Sequence, residues 1–146
     1  MGQAVNVSLF VYGTLKPGEM NYADYLAGRT LYEQPAWVVG AVLYTAGPFP
    51  YLVLGNGLAQ PTEYVYGMLL TICPEVYMAT LQALDDLEGY QPGAAGNLYE
   101  RITHTVQTAG AQVAAWMYVA GLQPLTAIRA GQFHKIPGGN WNVGWR

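Results

Sequence analysis

Leu9-Phe10-Val11-Tyr12-Gly13-Thr14-Leu15-Lys16 is an apolar run that breaks at Gly13 and passes into Pro17-Gly18-Glu19. From Val7 to Tyr12 it is β-branched and aromatic and too short for a helix, which predicts a buried strand. Gly13 removes a Cβ where the chain must bend or where something approaches closely. Two readings of the turn stand side by side. It is an ordinary bend at a strand end, or the successive N–H groups of Gly13, Thr14 and Leu15 form a concavity that holds an anion.

Working outward, the pattern is mostly strand. Asn21 to Leu26 reads as one or two helical turns closed by Gly28. Ala36 to Tyr44 is apolar and β-branched, Tyr51 to Leu54 resumes after Gly47-Pro48-Phe49-Pro50, and Gly55-Asn56-Gly57 signals a turn. Glu63 to Ile72 alternates, and Pro74 then opens one convincing helix to Leu87, stopped by Gly89 and Pro92. Tyr99 to Thr108 and Gln112 to Val119 form a hairpin around Ala109-Gly110, and the tail beyond Gly121 is aromatic but irregular. No repeat or linker divides residues 1–146, so the expectation is one α+β domain, a curled sheet or small barrel with one main helix.

Composition narrows the function classes. The 146 residues can bury an ordinary core, and six Lys+Arg against nine Asp+Glu give a formal charge of −3. With no basic patch or tail, nucleic acid and anionic membrane are poor partners. Charged residues make up 10% of the chain against roughly 25% in an average domain, while 52% is apolar. Such a surface favours a homo-oligomer or a large apolar pocket. Cys73 is the only cysteine, so an intrachain disulfide and multi-cysteine metal sites are excluded and a cytoplasmic setting is expected. There is no signal-peptide pattern and no run of about eighteen apolar residues. Gly2 follows Met1, but Asn6 stands where a myristoylation pattern wants Ser or Thr.

The helix carries the chemical clue. At about 100° per residue, Tyr77, Leu81 and Leu84 share one side, Glu88 continues that row, and Asp86 points the opposite way. Glu88 is then a core-facing carboxylate at a helix C-terminus, where both desolvation and the helix dipole raise its pKa and suit it to general base work. A structural alternative pairs Glu88 with Arg101 or Lys16. His104 and His134 lack neighbouring ligands, Cys73 reads as structural, and Gly138-Gly139 lacks the context of a phosphate loop.

Tyr12-Gly13-Thr14-Leu15-Lys16 after a first strand, Leu84-Asp85-Asp86-Leu87-Glu88-Gly89-Tyr90-x-Pro92 and Tyr99-Glu100-Arg101 together resemble the gamma-glutamylcyclotransferase-like family, in its gamma-glutamylamine cyclotransferase, avirulence-induced-gene-like branch. Trp116-Met117-Tyr118-Val119 and the tail Ile136-Pro137-Gly138-Gly139-Asn140-Trp141 extend the resemblance over nearly the whole chain. The resemblance implies a small mixed β-barrel with one main helix and short flanking helices. It implies an enzyme that cyclises a gamma-glutamyl group of a small substrate to 5-oxoproline and releases an amine or amino acid. Glu88 matches the catalytic glutamate, and Tyr12, Gly13, Thr14 and Leu15 match the segment that grips the substrate. Tyr90, Tyr99 and Trp141 are further candidates for the pocket wall. The implied reaction uses the substrate's own α-amine as nucleophile, so neither metal nor cofactor is expected. Pro17, Asn140 and the Gly93 to Asn97 loop depart from the family pattern and bear on the leaving group. The competing expectation is a non-catalytic binding or regulatory member of the same fold.

Overall fold

The computed structural model describes residues 6–141, so Gly2 lies outside the described residues. Its first strand, β1 (Ser8–Val11), is buried on both faces, as its unbroken apolar run requires. Phe10 points into a barrel core with Val38, Leu43, Met117, Ile136 and Trp141, while Leu9 and Val11 face outward onto a second cluster containing Leu26, Leu70 and Leu84. After the single turn α1 (Tyr22–Tyr25) come β2 (Thr30–Val39), β3 (Ala41–Thr45), β4 (Pro50–Leu54) and β5 (Tyr64–Ile72). The strand expected from Ala36 to Tyr44 is in fact two. Gly40 adopts φ +72 between them, a left-handed conformation that turns the chain out of the barrel.

A 3₁₀ turn, Pro74–Val76, leads into α2 (Tyr77–Glu88), which ends where Gly89 takes φ +68 and its N–H returns to the last turn. The hairpin of β6 (Tyr99–Gln107) and β7 (Gln112–Ala120) pairs in continuous register from Tyr99 with Ala120 to Gln107 with Gln112. The tail corrects the expectation of irregular structure, because it contains α3 (Leu122–Arg129) and β8 (His134–Ile136). Both are short, and α3 buries only Pro124 and Ile128, too little for a readable period.

Five strands close the barrel in the order β1-β5-β2-β6-β7, with β1 and β7 parallel. A second sheet, β4-β3-β8, lies beside it. The expected mixed barrel with one main helix and short flanking helices is the observed architecture. Among the described residues no helix is long and apolar enough to cross a membrane.

Candidate active site

β1 delivers its C-terminal turn to the wall of a cavity of about 210 Å³. Tyr12 is fixed there by donating its hydroxyl to the Tyr118 carbonyl at 2.6 Å and accepting from the Leu52 N–H at 3.3 Å. The turn is held through its carbonyls: Gly13 O accepts from Lys16 N at 3.1 Å and Thr14 O from Asn21 N at 2.8 Å. Asn21 Nδ2 also donates to Thr14 Oγ1 at 2.9 Å. The N–H groups of Gly13, Thr14 and Leu15 donate no hydrogen bond within the described residues, although all three residues are buried on the cavity wall. Unengaged successive donors of this kind are what an anion cradle needs. Gly13 is required by packing, since a Cβ there would lie 2.6 Å from the Pro50 ring.

Glu88 stands on the same cavity, as the last residue of α2. The left-handed Gly89 ends the helix one residue too late to swing this side chain outward. Glu88 is half-buried, and among the described residues no hydrogen bond or ion pair engages its carboxylate. Burial pushes its pKa up to about 7. Phenols complete the walls. Tyr99 donates its hydroxyl to Pro50 O at 2.9 Å and stacks on Tyr51 with ring centroids 4.6 Å apart. Burial raises the pKa of Tyr12, Tyr51, Tyr99 and Tyr118, and the nearby Glu88 charge adds to each. These phenols therefore stay protonated donors beside the carboxylate.

The structural alternative for Glu88 does not occur. Arg101 pairs instead with Asp85, one turn earlier, through Nε to Oδ1 at 2.8 Å and Nη2 to Oδ2 at 3.1 Å. The guanidinium also lies over the Trp116 and Tyr90 rings, 4.2 and 5.3 Å from their centroids. Lys16 turns away to donate to the Trp141 carbonyl at 2.5 Å and to Asn140 Oδ1 at 3.2 Å. Of the three aromatic candidates only Tyr99 lines the cavity. Tyr90 packs on Arg101, and Trp141 is wholly buried in the barrel core.

Sequence reasoning missed Asp85, whose Oδ1 also accepts from the Tyr118 hydroxyl at 2.7 Å. A signal existed, because Asp85 follows the buried Leu81 by four residues and so shares its face. It also missed Tyr51, Phe49 and Leu98, which reach the cavity from β4, from the loop before β4 and from the loop before β6. Their contribution depends on tertiary folding alone. Among the described residues no three His, Cys, Asp or Glu side chains form a metal-ligand set.

The sequence matches the family described as Gamma-glutamyl cyclotransferase, AIG2-like, over residues 9–143. It is 35% identical over 119 residues to the Gamma-L-glutamyl-butirosin B gamma-glutamyl cyclotransferase of Niallia circulans, covering 81% of this chain and 69% of that one. Its fold is similar to that of YkqA from Bacillus subtilis, at a TM-score of 0.64 and 26% identity over 94% of this chain. This chain spans only 40% of YkqA. A mouse AIG2-like protein gives a TM-score of 0.58 at 26% identity, covering 78% of this chain and 76% of that one. The chain belongs to the AIG2-like gamma-glutamyl cyclotransferase family.

Proposed function

We propose that this cyclotransferase-family chain converts a gamma-glutamyl amide to 5-oxoproline and a free amine, with Glu88 as the general acid and base. The observation that carries the proposal is the pairing, on one cavity, of the half-buried Glu88 carboxylate with the N–H groups of Gly13, Thr14 and Leu15, all of them unbonded among the described residues. In this reading the turn holds the substrate's α-carboxylate or the developing oxyanion. The folded gamma-glutamyl chain brings its α-nitrogen to its own γ-carbonyl, which supplies the orientational share of the rate.

The proton count is simple. The α-ammonium gives up two protons as it becomes the lactam N–H, and the departing nitrogen gains two as it leaves as an ammonium. The bond from the α-nitrogen to the γ-carbon forms while the bond from that carbon to the leaving nitrogen breaks. Glu88 accepts and returns protons and ends unchanged. A pKa near 7 lets one carboxyl perform both transfers near neutral pH.

Incubation with a panel of gamma-glutamyl compounds, reading 5-oxoproline release, tests the proposal. Release by the native chain and its loss in a folded Glu88→Gln variant are the expected results. Loss of a positioned general acid and base costs about 10²- to 10⁴-fold in rate. Full turnover by that variant would remove Glu88 from the mechanism. A blank panel with ligand binding intact would favour a binding protein.

A further inference from the structure

Asp85 and Glu88 stand one turn apart on α2, a spacing that puts Cβ atoms within about 5 to 6 Å of each other. Arg101 reaches this end of the helix from β6, two residues beyond Tyr99 and so on the same face of the strand as that cavity residue. A guanidinium so placed has two carboxylates on the last turn of α2 to choose between. It binds Asp85, through Nε to Oδ1 at 2.8 Å and Nη2 to Oδ2 at 3.1 Å. Further contacts fix that choice: Asp85 Oδ1 also accepts the Tyr118 hydroxyl at 2.7 Å, and the guanidinium lies over the Trp116 and Tyr90 rings. Both partners are largely buried, so salt and water screen them little.

The other groups around Glu88 supply no cation. On the cavity it meets the phenols of Tyr12 just past β1, Tyr51 on β4, Tyr99 on β6 and Tyr118 on β7. Lys16, beyond the β1 turn, donates to Trp141 O and Asn140 Oδ1, and on α2 itself the Asp86 carboxylate accepts from Gln82 Nε2 at 3.1 Å. Among the described residues no Lys or Arg side chain lines the cavity. Burial, Asp85 and Glu88 raise the pKa of the Tyr118 phenol while Arg101 lowers it, so the ion pair and Glu88 act on one shared hydroxyl.

We infer that Asp85 is a positioning residue for the reaction: it holds Arg101 and cancels its charge, which keeps that cation off the neighbouring Glu88 carboxylate and leaves Glu88 to the substrate. This rests on the reading of Glu88 as the general acid and base. An Arg101–Glu88 pair would instead lock the carboxylate in its charged, hydrogen-bonded form and draw it away from the cavity.

Asp85→Asn removes the charge while keeping the side chain's size and an oxygen for Tyr118. Titration of the Glu88 carboxyl by carbon NMR, assigned with Glu88→Gln, reads the effect without substrate. The native transition should lie near 7. In Asp85→Asn it should fall to between about 4 and 6, because an adjacent opposite charge lowers a carboxyl pKa by about 1 to 3. Arg101→Met uncovers the Asp85 charge and should move the transition above 7, since a like charge disfavours ionisation. Combining the two substitutions should return it to near 7, where burial alone acts. The acid limb of kcat/KM, measured with a gamma-glutamyl compound that the native chain turns over, should follow the same order. A purely structural role would lower the urea midpoint of both single variants but leave every transition at the native value, and that result overturns the inference. Should Asp85→Asn fail to fold, Arg101→Met decides, and a transition at or below the native one overturns it. A native chain that releases no 5-oxoproline ends the cyclotransferase reading, while the titration still decides whether Asp85 governs Glu88.

Discussion

Glu88 has to ionise at the C-terminal end of a helix and largely out of water, and both circumstances favour its protonated form. With a pKa near 7, the base form is scarce in mild acid. kcat/KM should therefore rise with pH through an apparent pKa of about 7, a limb that Glu88→Gln abolishes. Stability should move the other way. The folded state holds a proton that the unfolded chain, with its ordinary value of 4.5, gives up, so stability falls as pH climbs from about 4.5 to 7. Urea midpoints measured across that range should decline in the native chain more than in Glu88→Gln. Opposite slopes for activity and stability are the signature of one desolvated carboxylate. At Gly13 the constraint is steric. Gly13→Ala forces the turn and the rigid Pro50 ring apart, costing about 1 to 3 kcal/mol and raising KM, as denaturation and steady-state kinetics would show.

Among the elements, α2 does two things with one end. Asp85 ties it to β6 and β7 through Arg101 and the Tyr118 hydroxyl, and Glu88, one turn later, stands on the cavity unbonded among the described residues. Tyr118 in turn accepts the Tyr12 hydroxyl, so the helix, the hairpin and the β1 turn share one chain of hydrogen bonds. Asp85→Ala would strand a mostly buried guanidinium and should cost about 3 kcal/mol by urea denaturation. A double-mutant cycle with Arg101→Met should recover much of that loss, because the orphaned charge is then gone. The sequence made Glu88 legible because helical period alone carries it from Leu84 to the buried side. Asp85 was harder to see, since its importance comes from partners on other strands. Most strand and helix positions through β7 followed from alternation and proline or glycine punctuation, but β2 and β3 read as one strand because their apolar runs flank a single Gly40, and α3 and β8 are too short to carry a period. Phe49 and Leu98 were illegible for a third reason: they lie far apart in the chain and come to line one cavity only when the fold is complete.

For the whole molecule, the C-terminal segment closes what β1 begins. Trp141 is wholly buried with Phe10, Val38 and Met117 inside the barrel, and its carbonyl receives Lys16 from just beyond the β1 turn. One residue thus fills the barrel and anchors the segment that leads out of the candidate cradle. Among the described residues its indole Nε1 has no hydrogen-bond partner, so the ring is there for its volume. Two substitutions separate volume from polarity. Trp141→Ala leaves a cavity and should cost about 3 to 5 kcal/mol. Trp141→Phe loses less volume and also removes a buried donor whose lack of a partner costs about 1 to 3 kcal/mol. The two effects oppose each other, so the phenylalanine variant should lie within about 1.5 kcal/mol of the native chain. Urea denaturation of both variants decides the matter, and equal losses would mean that the indole N–H makes a bond its surroundings do not reveal. Neither substitution removes the backbone carbonyl that Lys16 reaches, so the phenylalanine variant should keep the native KM. The alanine variant loosens the segment carrying that carbonyl and should raise KM through the Gly13 to Leu15 turn.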